Sequence, residues 1–110
     1  KSYVKEYNEN DKLSFEGEDL YSKRNGKAKD YFIEKLSFEG NYLKRNKHGK
    51  GIEYFTGGKI EGEYLYDCNI KWKKYTKKDQ LIFEGEYVCN DIIKGREYAK
   101  GRLEYEGEYL

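Results

Sequence analysis

The sequence contains no proline and no methionine, one histidine, one tryptophan and only two cysteines among its 110 residues. Each scarcity excludes something. Without proline, nothing interrupts a ladder of paired strands. A single histidine, His48, and four serines, none in a Gly-x-Ser-x-Gly elbow, supply no nucleophile–base pair. No catalytic residue is assigned, and the chain reads as a non-enzyme. Two cysteines and a remote histidine do not make a zinc site, so neither a metal nor another cofactor is expected. No run of about 18 apolar residues is present, so no helix crosses a membrane, and no signal peptide is visible. The 22 basic residues against 21 acidic ones leave a net charge of +1. There is thus no global field to draw in nucleic acid. The chain starts at Lys1 and stops at Leu110 in the middle of a repeat, as an excerpt of a longer protein would.

What is present is charge and aromatic rings. The chain is 39% charged and only 36% hydrophobic, which approaches the range where burial cannot offset ordering entropy. Yet 17% is aromatic, with 13 tyrosines. Both facts suit a thin sheet held by rows of Tyr and Phe.

An internal period decides the architecture. Phe-Glu-Gly-Glu or a near copy recurs at Phe15 to Glu18, Phe38 to Asn41, Ile60 to Glu63, Phe83 to Glu86 and Tyr105 to Glu108. Their glycines, Gly17, Gly40, Gly62, Gly85 and Gly107, are spaced 23, 22, 23 and 22 residues apart. Tyr7, Tyr31, Tyr54, Tyr75 and Tyr98 run in step, each 8–10 residues before the next of those glycines. The units fall at about residues 13–35, 36–58, 59–80, 81–101 and 102–110, with 1–12 as the end of a preceding unit.

Within a unit, apolar residues alternate with period two. Leu36, Phe38, Gly40 and Tyr42 share one face, while Ser37, Glu39 and Asn41 share the other; Leu81 to Tyr87 and Leu103 to Tyr109 repeat this. Such alternation is that of a half-buried strand, the A strand. Tyr-centred segments such as Lys50 to Phe55 and Lys94 to Tyr98 read as shorter B strands. Asn25-Gly26 is the strongest hairpin-turn signal, because a type I′ turn needs positive φ at both central residues. Gly57-Gly58 and Lys100-Gly101 serve similarly between B and the next A. The mid-strand glycine, five times at one position, implies that a ring from a neighbouring strand lies over the backbone there. The expected fold is all-β: an open antiparallel meander of about ten short strands. A closed barrel would want apolar alternation on every strand, and the B strands are too polar. A propeller needs about 40 residues per blade.

Gly40-Asn41-Tyr42 through His48-Gly49-Lys50-Gly51, followed by Glu53-Tyr54, resembles a MORN repeat: Gly-x-aromatic, a turn, then Gly-x-Gly before a second strand. Lys12 to Leu20, Gln80 to Val88 and Arg102 to Leu110 resemble the variant abundant in protist proteins. Departures stand at Ala28-Lys29, Trp72-Lys73 and Gly95-Arg96, where Gly-x-Gly is missing, and at Asp19, which replaces an aromatic. The resemblance implies a single-layer curved sheet with a groove along its concave face. It also implies an attachment module of cytoskeletal, ciliary or membrane-junction assemblies, sometimes beside a catalytic domain.

Several groups are candidates for contact. An aromatic floor of Phe38, Tyr42, Tyr64, Phe83, Tyr87, Tyr105 and Tyr109 is expected to accept a helix or extended peptide of a protein partner. Trp72 occupies the slot held by Ala28, Gly51 and Gly95, and either packs there or projects as an anchor for the partner. Basic residues gather around the A-to-B turns: Lys23, Arg24, Lys44, Arg45, Lys47, Lys71, Lys73 and Lys74, with Lys27, Lys50, Lys94 and Arg96 nearby. They make an anionic lipid surface the alternative partner, at up to about 1 kcal/mol per charge. The acidic ladder Glu16, Glu18, Glu39, Glu61, Glu63, Glu84, Glu86, Glu106 and Glu108 has a carboxylate row's capacity for Ca²⁺. Its plainer reading is exchange of weak ion pairs with Lys on neighbouring strands. His48 reads as exposed turn chemistry between Asn46 and Gly49. Cys68 and Cys89 both fall where an A strand runs out. A strands lie two ladder spacings apart, about 9–10 Å, beyond the ~7 Å a disulfide tolerates. Both therefore read as free thiols, which suits a reducing, cytoplasmic compartment, with cytoskeletal or membrane association. The last strand carries no protective device on its free edge, so self-association through the terminal strands is expected.

Overall fold

The computed structural model describes residues 2–21, 23–88 and 91–109, with backbone alone at 69, 88 and 91–93. Ten strands follow in order: β1 (Ser2–Tyr7), β2 (Leu13–Leu20), β3 (Lys23–Phe32), β4 (Lys35–Leu43), β5 (Asn46–Phe55), β6 (Gly58–Leu65), β7 (Cys68–Thr76), β8 (Leu81–Val88), β9 (Asp91–Ala99) and β10 (Arg102–Glu108). They form one antiparallel sheet in sequence order, and β1 and β10 each have a neighbour on one side only. The expected open meander is what the chain forms. Among the described residues there is no helix long and apolar enough to cross a membrane.

One row of residues crosses the whole sheet. Val4 pairs with Gly17, Gly17 with Ala28, Ala28 with Gly40, Gly40 with Gly51 and Gly51 with Gly62. The row continues through Trp72, Gly85, Gly95 and Gly107. Period-two alternation then sends the residues on either side of this row to the opposite face.

At Gly40, Gly85 and Gly107 the ring two residues before the A-strand glycine lies over the row. A β-carbon on Gly51 would sit 2.6 Å from Phe38 Cε1, and one on Gly40 would sit 2.7 Å from Phe38 Cζ. Only glycine leaves room for that ring. Phe15 (0% exposed), Phe38 (2%), Tyr42 and Tyr64 are buried together, with Val4 packed beside them. The rings meet edge to face, Phe15–Tyr42 and Phe38–Tyr42 at 5.9 Å and Phe38–Tyr64 at 5.6 Å. Each fully buried Phe contributes about 2 kcal/mol of transfer free energy, and the crossed ring geometry adds to it.

Three local expectations are corrected. First, the B strands are not short: β3 and β5 have ten residues each, more than β2 or β4. Second, Asn25-Gly26 is not a turn but lies inside β3, where the register slips between Gly17 and Asp19. Gly26 there adopts φ +108°, and Gly49 adopts φ +86° in the matching slip of β5. His48 sits in that slip rather than in a turn. Two-residue turns stand at Ile33-Glu34, Lys44-Arg45 and Tyr66-Asp67, all with positive φ and no glycine, and at Lys100-Gly101, as expected, with φ +52° and +77°. Two-residue loops between twisted strands demand that backbone whatever the residues are, whereas Gly26 and Gly49 are consumed by the bulges. Third, Cys68 is disulfide-bonded. It opens β7 rather than ending an A strand, and β7 pairs directly with β8, so no strand intervenes on that side. The free-thiol reading of Cys68 falls, and with it the argument for a reducing compartment; Cys89 lies outside the described residues.

Candidate functional site

The polar face forms a groove of about 1310 Å³ that crosses all ten strands. Its floor is backbone of the central row, and its two walls are the residues immediately before and after that row. In three hairpins the wall residues are acidic on the A strand and basic on the B strand, so each contributes a tile of four. Glu16 and Glu18 stand over Lys29 and Lys27; Glu61 and Glu63 over Lys73 and Lys71; Glu84 and Glu86 over Arg96 and Lys94. β10 adds Glu106 and Glu108. Pairing follows: Lys94 meets Glu86 at 2.8 Å, and Arg96 bridges Glu106 at 2.5 Å and Glu84 at 3.4 Å. The acidic ladder thus runs beside a basic ladder, roughly 4.8 Å away at each step. Such alternation cancels at a distance, and each exposed pair is worth well under about 1 kcal/mol. Among the described residues no cluster of three or more potential ligands could hold a metal ion.

Tyrosines brace one wall. Tyr31 donates to Glu16 at 2.8 Å, Tyr54 to Glu39 at 2.5 Å and Tyr98 to Glu84 at 2.7 Å. The hydrogen bond from Tyr31 holds Glu16 below the usual carboxylate range. The same bonds push Tyr31 and Tyr54 up to about 12, because ionising the phenol would set two anions face to face. These tyrosines, the second ladder of the sequence, are fasteners of the wall. Their repeat was visible in the sequence; their role was not, because it depends on the cross-strand pairing that sets Tyr31, Tyr54 and Tyr98 beside Glu16, Glu39 and Glu84.

The sequence-predicted contact rings lie on the other face. Phe38, Tyr42, Tyr64 and Tyr87 are buried in the sheet's own packing. Phe83 is half-buried against Tyr87 and Tyr109, and Tyr109 donates to Glu97. Tyr105 is exposed and packs on Tyr109. Trp72 packs: its ring stacks on Tyr87 at 4.5 Å with planes 32° apart.

The eight predicted basic contacts do not form one strip. Arg24 lies 3.8 Å over the Phe15 ring and pairs with Asp30 and Glu6, both at 3.4 Å. Lys47 lies 4.3 Å over Phe38 and pairs with Glu53 at 3.3 Å. Lys74 covers Phe55, and Lys71 and Lys73 belong to the groove wall. Lys23, Lys44 and Arg45 remain at the turn edge, where Tyr21 and Tyr66 are also exposed. No family model and no curated protein matches this sequence.

Proposed function

We propose that this chain is a non-catalytic binding module, a MORN-type array that holds an extended polypeptide of a larger assembly in the groove of its polar face. The observation that carries this is the groove itself: it runs the length of a molecule 45 Å long and has contributions from every strand. The aromatic face is engaged in holding the sheet together, so the partner is expected on the charged face rather than on the rings. Selection of peptides from a random display library, followed by amide chemical-shift mapping of the best binder, tests it. Shifts at Lys50, Ile52, Gly62 and Lys73 are expected. Shifts confined to the turns or to the aromatic face would sink the reading.

One observation favours a second reading. Tyr21 is 90% exposed and Tyr66 54%, on the same edge as Lys23, Lys44 and Arg45. Amphipathic rings among lysines suit a membrane interface. Flotation with phosphoinositide-bearing liposomes is expected to carry the protein up only if this edge makes the contact, and Tyr21→Ser with Lys44→Ser would then abolish it.

A further inference from the structure

From β2 to β10 the alternation of charge along the groove breaks at one place. In the hairpin β4–β5 the tile is not two acids over two bases. Asn41 stands where the other hairpins have a second Glu, and Ile52 stands where they have Lys or Arg. The break is two-sided. On one wall Ile52 is flanked by Glu39 and Glu61, with no cation between them. On the other wall Asn41 lies between Lys27 and Lys50, which make no ion pair among the described residues. Elsewhere the alternating charges cancel within about one strand spacing. Here one wall is locally acidic about an apolar side chain, and the other is locally basic about an amide. Working interfaces have this anatomy, a core depleted of charge inside a charged rim.

From this tile we infer that the groove selects an extended segment in which an apolar residue is centred among basic and acidic residues of alternating sequence. The inference rests on the groove reading above and names its partner. In an extended chain, successive side chains point to opposite walls. A segment of the pattern Lys-Glu-Leu-Glu-Lys therefore turns both Lys and the Leu to the wall of Glu39, Ile52 and Glu61. Both Glu turn to the wall of Lys27, Asn41 and Lys50. The inverted pattern Glu-Lys-Leu-Lys-Glu has the same composition and net charge, but sets like charges together on both walls.

The test uses these two pentapeptides in Gly-Ser flanks with a fluorescein label, read by anisotropy and by amide shifts of the whole chain. The first is expected to bind about tenfold more tightly than the second, with the largest shifts at Asn41 and Ile52. The double variant Asn41→Glu with Ile52→Lys gives this hairpin the tile of its sisters, so the fold tolerates it, and it is expected to erase the difference. Equal affinity of the two peptides in the natural chain, with groove amides moving for both, would overturn the inference and leave the groove reading standing. Binding of neither, while library-selected peptides still move groove amides, would also overturn it alone. If no peptide of any origin moves the groove amides, both fail.

Discussion

The two hairpins β2–β3 and β4–β5 and the one that follows, β6–β7, share one period but solve the same packing problem differently. In the first pair a Phe lies over the central row, a small residue (Ala28 or Gly51) makes room on the B strand, and a cation caps the ring. Arg24 over Phe15 and Lys47 over Phe38 each close an ion pair with an acid six residues on in the same strand, Asp30 and Glu53. Gly26 and Gly49 form the slips that bring those cations over the rings. In β6–β7 the parts are exchanged. Ile60 replaces the Phe, and Trp72 replaces the small residue, so the ring arrives from the B strand and leans on Tyr87. A β-carbon on Gly62 would lie 3.0 Å from Trp72 Cδ1, so the same row of glycine still makes the space. The repeat conserves a ring over the row, not the residue that supplies it.

That equivalence can be broken most forcefully at Trp72. Trp72→Gly is expected to cost about 3–5 kcal/mol, the range for removing a packed Trp. Adding Ile60→Phe should recover at least about 1 kcal/mol, because the Phe/Gly arrangement of the first hairpins is then rebuilt. Denaturant melts of the four chains of the cycle measure this, and strict additivity would show that Ile60 and Trp72 do not share one space.

The ring-capping cations sharpen the contrast at a smaller scale. Lys47→Met keeps the apolar stem over Phe38 but leaves Glu53 without its cation. A loss of about 1 kcal/mol is expected, against no measurable change for Lys73→Met on the open wall. Equal melting midpoints for the two would remove the special standing of the first hairpins.

The turns offer a change of the opposite sign. Ile33 and Glu34 are held at φ +48° and +63°, an unfavourable region for a β-branched side chain. Ile33→Asn with Glu34→Gly supplies the residues such a turn favours, and should raise stability by about 1 kcal/mol in thermal melts. A lower melting temperature would mean that Ile33 packs somewhere important.

The smallest effect is one of pH. Tyr31 and Tyr54 titrate near 12 through their bonds to Glu16 and Glu39, and Tyr87 near 12 through burial. In the unfolded chain a Tyr titrates near about 10. The phenol's pKa is thus raised by folding, so its contribution is intact below pH 10 and lost as pH climbs from about 10 to 12. Tyr54→Phe, with no proton to lose, should flatten the fall of stability over that window. An unchanged slope would argue that the bond to Glu39 is not maintained in solution.

The period of 22–23 residues, the alternation of Phe-x-Gly-x-Tyr with Glu-x-Glu, and the absence of proline determined the sheet, its strand order and its two faces. Those are local or repeating properties, and a half-buried strand announces them in its own residues. The sequence also marked Trp72 and the acidic ladder as unlike their surroundings. What it could not decide lay in relations between strands. Alternation separates two faces, but it does not say which one a curved sheet opens as a groove, and here the rings lie packed on the other. Asn25-Gly26 looks like a turn in isolation. Only the pairing of Gly17 with Ala28 and Asp19 with Arg24 makes it a bulge, leaving the turns to residues such as Ile33 and Tyr66. The neutral tile of Asn41 and Ile52 is likewise invisible along the chain, where its members stand eleven positions apart. Pairing β4 with β5 sets them on opposite walls of one groove, and that register is a tertiary fact.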